Sequence, residues 1–443
     1  MESRSFVICV IVLNEVKLKI FRYYDINEKK ALEKYIKSAE SGNKSALKTA
    51  MTVIEAVKKN GDKAVFSFCR KFDKFKANTN NLKVKESEIN SAFKKAPKIL
   101  LSALKQAKAN LEKYHLKQMD KGFTLTTSYG RLGMNVLPIA SAGLYIPGGK
   151  AVYPSSVLMN VIPAKIAGVS RIVMCTPAVN GKVNPVILAA AKICGVTEIY
   201  KIGGAQAIAA MAYGTETVKP VDKITGPGNA FVSAAKQLVF GKVGIDSLAG
   251  PSEVLIVAGN GDNADFVAAD MLAQAEHDED ARSILVTDSM IFAGRVMFSL
   301  FRERNFLTRK DIITESLKNS FIVVVDNLRD AVKISNQIAP EHLELIAKKA
   351  ITDAKKYTNA GAVFIGADTP VALGDYIAGT NHVLPTNGSA RFSSPLGVYD
   401  FTKRQSTLDV SRKGIKKLAA GLKTLATAEG LDAHAGSVEK RLK

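Results

Sequence analysis

Residues 171–213 read RIVMCTPAVNGKVNPVILAAAKICGVTEIYKIGGAQAIAAMAY, and this stretch decides the fold class. Two short apolar runs, at 171–175 and 198–202, are bounded by proline or glycine, and alanine-rich stretches of helical length follow each of them. A short buried strand, a crossover helix and a second strand make a βαβ unit, which belongs in a parallel sheet. The same texture extends outward on both sides, with further candidate strands at 143–146, 254–258, 283–287, 321–325 and 362–365. A break near Gly250-Pro251 divides them into two sets. The expected architecture is therefore α/β, with two Rossmann-like parallel-sheet units. Residues 27–117 are lysine-rich with apolar positions every three or four residues, and the sequence reads as helical again after Pro395, so helical segments are expected at both ends.

Composition excludes several alternatives. The chain has 443 residues, 47% hydrophobic and 23% charged, enough for a sizeable core and unlike a disordered chain. The longest wholly apolar run, 6–13, stops well short of the roughly 18 residues of a membrane span. It follows Arg4 as a signal peptide would, but no small-residue cleavage site follows. Residues 1–16 are expected to be an extension, and cytoplasm is the default location. The four cysteines, Cys9, Cys69, Cys175 and Cys194, form no CxxC pair, which argues against a disulfide framework and a thiolate zinc site. A net charge of +21 could attract nucleic acid, yet the lysines are spread over helical polar faces with no aromatic-interleaved stripe, so a solvated surface is the better account.

Five histidines can each be weighed. His115, on a lysine-rich helix, reads as a surface or half-buried residue. Gln274 and His277, in LAQAEHDEDA, share a helix face at spacing three and could reach one metal ion. Glu341 and His342, in IAPEHLELI, follow Pro340, which can open a helical turn; both could border one pocket and serve successive proton transfers. Asp375 and His382 lie in LGDYIAGTNHVLPTNGS, a polar loop of the kind that carries function. Glu429 and His434 lie near the carboxyl terminus, where a tail is usually frayed. A carboxylate, two imidazoles and an amide make a plausible zinc set without sulfur. Three glycine-rich loops, GLYIPGGKAVYPSS, KIGGAQAIAAMAYGT and ITGPGNAFVSAAK, each join a candidate strand to a helix, where backbone amides and the helix end can hold a phosphate. Three such loops favour a dinucleotide cleft over a zinc hydrolase, which has no use for one.

Taken in order, the motifs GLYIPGGKAVYPSSVLMNVIPAKIAGV, GGAQAIAAMAYGT, ITGPGNAFV, AGPSEVLI, QAEHDEDA, APEHLEL, GDYIAGTNHVLPT and AEGLDAHAGSVEKR resemble the histidinol dehydrogenase family from about Leu18 onward. The resemblance implies oxidation of L-histidinol through histidinaldehyde to L-histidine, with two NAD and one zinc per site. It implies Gln274, His277, Asp375 and His434 as zinc ligands and Glu341 and His342 as the acid/base pair. Tyr145, Gln206 and Asn229 become NAD contacts. Ser252 and Glu429 become substrate contacts, joined by Gln274, His277, His342, Asp375 and His434. It further implies an intertwined homodimer whose carboxyl-terminal segment completes the neighbour's site. The expected division is 17–40 as a helical segment, 41–144 plus 254–396 as the first α/β domain, 145–253 as the NAD-binding domain and 397–443 as the closing segment. No nucleic-acid or membrane partner is expected.

Overall fold

The computed structural model describes residues 18–38, 44–148, 152–248 and 250–442; the expected extension 1–16 lies outside them, as do Gly149 to Ala151 of the first glycine loop. The chain begins with β1 (Lys19–Arg22) and α1 (Ile26–Ser38), then three helices, α2 (Lys44–Asp73), α3 (Glu86–Lys95) and α4 (Lys98–His115), and a hairpin of β2 (Phe123–Thr126) and β3 (Gly130–Pro138). One α/β run follows: β4 (Ser141–Tyr145), α5 (Pro154–Ala167), β5 (Arg171–Cys175), α6 (Pro185–Cys194), β6 (Glu198–Tyr200), α7 (Gly204–Tyr213), β7 (Lys223–Thr225), α8 (Ala230–Val239) and β8 (Gly244–Ile245). A second run holds β9 (Glu253–Val257), α9 (Ala264–Ala275), β10 (Arg282–Thr287), α10 (Met290–Arg304), α11 (Lys310–Leu317), β11 (Phe321–Val324), α12 (Asp330–Ile338), β12 (His342–Leu345), α13 (Lys348–Thr352), β13 (Ala362–Ile365) and α14 (Val371–Tyr376). An arm of β14 (Thr402–Val410), α15 (Arg412–Ala428) and α16 (Asp432–Leu442) closes the chain.

The first run is a parallel sheet in the order β6-β5-β4-β7-β8. The second run is also parallel, β1-β11-β10-β9-β12-β13. Without β1, both sheets start at a central strand, build outward one way and then reverse, the doubly wound pattern with a crevice where the order switches. The switch lies between β4 and β7 in one sheet and between β9 and β12 in the other. Strands buried on both faces need uninterrupted apolar residues, and EVLIV of β9 is buried throughout.

Four expectations need correction. Residues 17–40 are not wholly helical, because β1 adds an edge strand beside β11. The helices of 41–144 do not cover the sheet of 254–396, which this segment meets at the loop after α14, where Asn110 Nδ2 donates to the Ile377 carbonyl at 2.8 Å. Buried residues of α2 join Val173, Ile208 and Ile224, and those of α3 and α4 join Leu144 and Leu158, so these helices cover the five-stranded sheet; a doubly wound sheet has two apolar faces to bury. Residues 342–345 form strand β12 rather than a helical turn. Left-handed Ala339 (φ 54°) ends α12, and Pro340 then favours extended chain. Finally, the chain after Pro395 enters β14 before any α-helix, pairing antiparallel along the whole of β3.

Candidate active site

Glu253 and His342 are the first residues of β9 and β12, the two strands at the switch of the six-stranded sheet, where His342 lies opposite Val254. Helices α9 and α14 follow strands and return antiparallel, so their carboxyl ends arrive at this same edge. They bring Gln274 and His277 from α9 and Asp375 from α14. Sequence spacing thus converges through topology on one place.

Glu341 and His342 are 5% and 4% exposed. The main chain of Glu253 holds both: its N–H donates to Glu341 Oε2 at 3.0 Å, and its carbonyl accepts from His342 Nδ1 at 3.1 Å. With Nδ1 so occupied, Nε2 is the atom left for chemistry; it lies 3.5 Å from Asp375 Oδ1. Burial lifts the Glu341 carboxyl to about 7, opposed by the neighbouring imidazole. Burial works against charge on His342, but Glu341, with Nδ1 at 3.8 Å from its Oε2, and Asp375 outweigh it and raise the imidazole to about 9. Burial opposes ionisation of Asp375 as well, yet the His342 imidazole beside it keeps it below the ordinary carboxylate value.

The buried Gln274 ends α9, and His277 lies just beyond, its N–H on the Gln274 carbonyl. His277 Nδ1 donates to the Ala273 carbonyl at 3.0 Å, which leaves its Nε2 unclaimed by that bond. Nε2 of Gln274 and Nε2 of His342 are both buried without a hydrogen-bond partner. Interiors rarely leave such atoms unpaired, and an empty partner position is characteristic of a site that binds something. Half-buried Ser252 immediately precedes β9.

The loop after α14 joins this edge to the other sheet. His382 Nδ1 donates to the Asp375 carbonyl at 2.8 Å, and its Nε2 lies 3.2 Å from Ser156 Oγ in the first turn of α5. Asn381 Nδ2 donates to the Met159 carbonyl. The three glycine loops leave the carboxyl ends of β4, β6 and β7, so the polar edge of one sheet meets the loop-bearing edge of the other. There, buried Tyr145 ends β4 and its hydroxyl accepts Gly204 N–H at 3.0 Å. Gln206 is buried in α7, and Asn229 caps α8 by accepting the amides of Phe231 and Val232.

Glu429 and His434 are not brought to this cluster. Both are exposed on the arm, and among the described residues no side-chain hydrogen bond or ion pair of either reaches Gln274, His277, His342 or Asp375. His115 is not at the surface but fully buried, its Nδ1 2.8 Å from Gln118 Oε1. Sequence reasoning missed Glu253, whose carboxylate meets Arg282 at 3.1 Å and the Asn387 amide at 3.1 Å. It also missed Glu344, buried two residues along β12 on the face of His342, near Asp270 and accepting the Val371 amide at 2.8 Å. Burial and Asp270 lift Glu344 to about 8. For Glu253, a carboxylate at the head of the otherwise apolar EVLIV was the available signal.

The histidinol dehydrogenase family model matches residues 36–442. The chain belongs to the histidinol dehydrogenase family. A histidinol dehydrogenase of Bradyrhizobium diazoefficiens is 50% identical over 395 residues, 89% of this chain and 92% of that one. One from Clostridium acetobutylicum is 47% identical over 418 residues, 93% of this chain and 96% of that one. The crystal structure of histidinol dehydrogenase from Elizabethkingia anophelis superposes with a TM-score of 0.89 at 38% identity, covering 96% of this chain and 98% of that one. As a histidinol dehydrogenase family member the chain is an oxidoreductase. The acid/base geometry then has a pH consequence. Glu341 raises His342, and a base must be neutral to accept a proton. In Glu341→Gln the acid limb of kcat/KM for histidinol should move to lower pH, on the order of one unit. An unmoved limb would show that Glu341 does not tune this imidazole.

Proposed function

We propose that the chain performs the zinc-dependent, four-electron oxidation of L-histidinol through histidinaldehyde to L-histidine with two NAD, the last step of histidine biosynthesis. The observation that carries the reading is the junction of a buried acid/base pair with the loop-bearing edge of a doubly wound sheet, tied by His382 to Ser156. Dinucleotides bind at the carboxyl edge of such sheets, at the switch, and Tyr145 and Asn229 flank that switch between β4 and β7. The corresponding loop of the other sheet is less open to phosphate, since Asp262 already accepts the Gly259 amide at 2.7 Å. NAD is therefore assigned to the five-stranded sheet.

The donors fit a zinc ion. Gln274, His277 and Asp375 offer an amide oxygen, an imidazole and a carboxylate, a hard-to-borderline set, and the Gln274 amide is buried with its nitrogen unpaired, so hydrogen bonds do not fix which way the amide faces. His434 of a second chain would complete the set, and the ion would act as a template, holding the substrate imidazole and amine so that the carbinol carbon faces the nicotinamide. His342 Nε2 accepts the alcohol proton while hydride leaves, and the Glu253 carbonyl keeps the imidazole in the required orientation. In the second oxidation the aldehyde must first be hydrated, and Glu341, near 7, is poised as the base that takes a proton from water. Ser252 and Glu429 are assigned to the substrate, and Gln206 to the cofactor.

The exposed arm supports a homodimer with shared sites. Leu418, Leu422 and Leu425 line one face of α15, and Leu408 of β14 and Leu425 are 69% and 67% exposed; an apolar face of this kind needs a partner. No described helix is long and apolar enough to cross a membrane, and we assign the enzyme to the cytoplasm. The deciding test counts NADH formed per L-histidinol consumed, with chelated and zinc-restored samples. Two NADH with histidine as product, lost on chelation and regained with zinc, is expected. One NADH with released aldehyde, or indifference to chelation, would refute the corresponding part.

A further inference from the structure

We infer that the buried ion pair of Lys236 and Asp246 is a positioning device that sets the dinucleotide loop 225–229 and with it the affinity for NAD; this rests on assigning NAD to the five-stranded sheet. Lys236, on α8, is 1% exposed, and its ammonium pairs with the Asp246 carboxylate. Removing two charges from water is costly, and apolar residues of similar volume commonly stabilise a fold as well, so stability alone does not explain such a pair. What the pair grips is one residue. Lys236 Nζ donates to the Gly226 carbonyl at 3.0 Å, and Asp246 Oδ2 accepts the Gly226 N–H at 2.8 Å.

Gly226 lies just past β7, where its main-chain groups leave the ladder and would otherwise be orphaned in the interior. Its φ is +117°, and a Cβ there would come within 2.1 Å of the Tyr145 carbonyl. The residue is thus pressed against the end of β4, across the switch at which the dinucleotide is assigned. Three residues on, Asn229 caps α8, the helix that carries Lys236 back to Gly226. The loop is closed on itself through the ion pair, and Pro227 restricts it further. Among the described residues, no hydrogen bond or ion pair of either charged side chain reaches Glu341 or His342. The pair therefore acts through the loop rather than on the reacting atoms.

The test is NADH binding to the full-length protein without histidinol, followed by fluorescence titration beside thermal unfolding. Lys236→Met with Asp246→Leu removes both anchors without leaving a lone buried charge. Lys236→Met with Asp246→Asn keeps an acceptor for the Gly226 amide, and it decides the matter if the first variant fails to fold. The expected result is NADH affinity weakened by about tenfold in the apolar variant and by less in the Asn variant. KM for NAD should rise accordingly, by a larger factor than kcat at saturating NAD falls. Unchanged NADH affinity in a folded variant, or a loss confined to kcat, would overturn the proposal. Wild-type protein that binds no NADH would instead remove the cofactor assignment and this inference with it.

Discussion

Glu341→Gln is expected to cut oxidation of histidinaldehyde by about two to four orders of magnitude, the usual weight of a positioned general base, and oxidation of histidinol far less. The two half-reactions make different demands. Alcohol oxidation needs one base for one hydroxyl proton, and His342 Nε2 faces the site with its other nitrogen tied to the Glu253 carbonyl. Aldehyde oxidation needs a water molecule activated first, and Glu341, lifted by burial to about 7, takes a proton far more readily than an ordinary carboxylate. Glutamine preserves the shape and can still accept the Glu253 N–H that Glu341 receives at 3.0 Å, so the strand ends should stay in register. What disappears is basicity. Reaction with histidinol should then stop near one NADH per substrate, with aldehyde accumulating, and a stopped assay on each substrate separately reads the division. Equal losses on both substrates would abolish it.

The parts of this molecule that were legible in the sequence are those where one local pattern has one physical meaning. Runs such as IVMC and EVLIV, short, apolar and bounded by turn residues, can be little else than strands of a doubly covered parallel sheet, and both lie where expected. β12 was not legible, because HLEL alternates polar and apolar residues like an exposed segment, and a preceding proline reads as a helix start. It is a strand because the parallel neighbours β9 and β13 pair with both its edges, and helices cover it, Leu343 and Leu345 packing with Ile334 and Ile338 while the two polar side chains lie on the other face. The same fact hid Glu253 and Glu344, whose value depends on partners far away in sequence. β14 was missed for a related reason: its nine residues are largely exposed, so hydrophobic patterning says little, and its partner β3 lies more than two hundred residues earlier. Gln274, His277, Asp375 and His342 could be named from types and motifs, yet only the return of α9 and α14 to one sheet edge brings them together. Glu429 and His434 fall outside that convergence within a single chain.

That separation yields the second large effect. A His434→Asn chain and a Gln274→Ala chain, each expected to be nearly inactive as a homodimer, should recover activity when they are dissociated and reassociated together. The arm that carries His434 stands on β14 and β3, away from the sheet edge, and shows an uncovered apolar face along α15. If that face seats on a second copy, each site draws Gln274 from one chain and His434 from the other. In a twofold dimer one hybrid site then holds both defects and the other holds none. Random reassociation makes half the dimers hybrid, so the mixture should reach about a quarter of wild-type activity. Sites built within one chain would give every hybrid site a single defect, and mixing would recover nothing. Separately tagged chains, purified through both tags, isolate the hybrid, and metal content measured on that sample supplies a second reading. One zinc per hybrid dimer, against two in wild type, is the expected count, because a ligand set completed by a neighbour can be whole only where both donors are intact. Zinc retained at two per dimer would mean that His434 does not hold the ion, even if activity were restored.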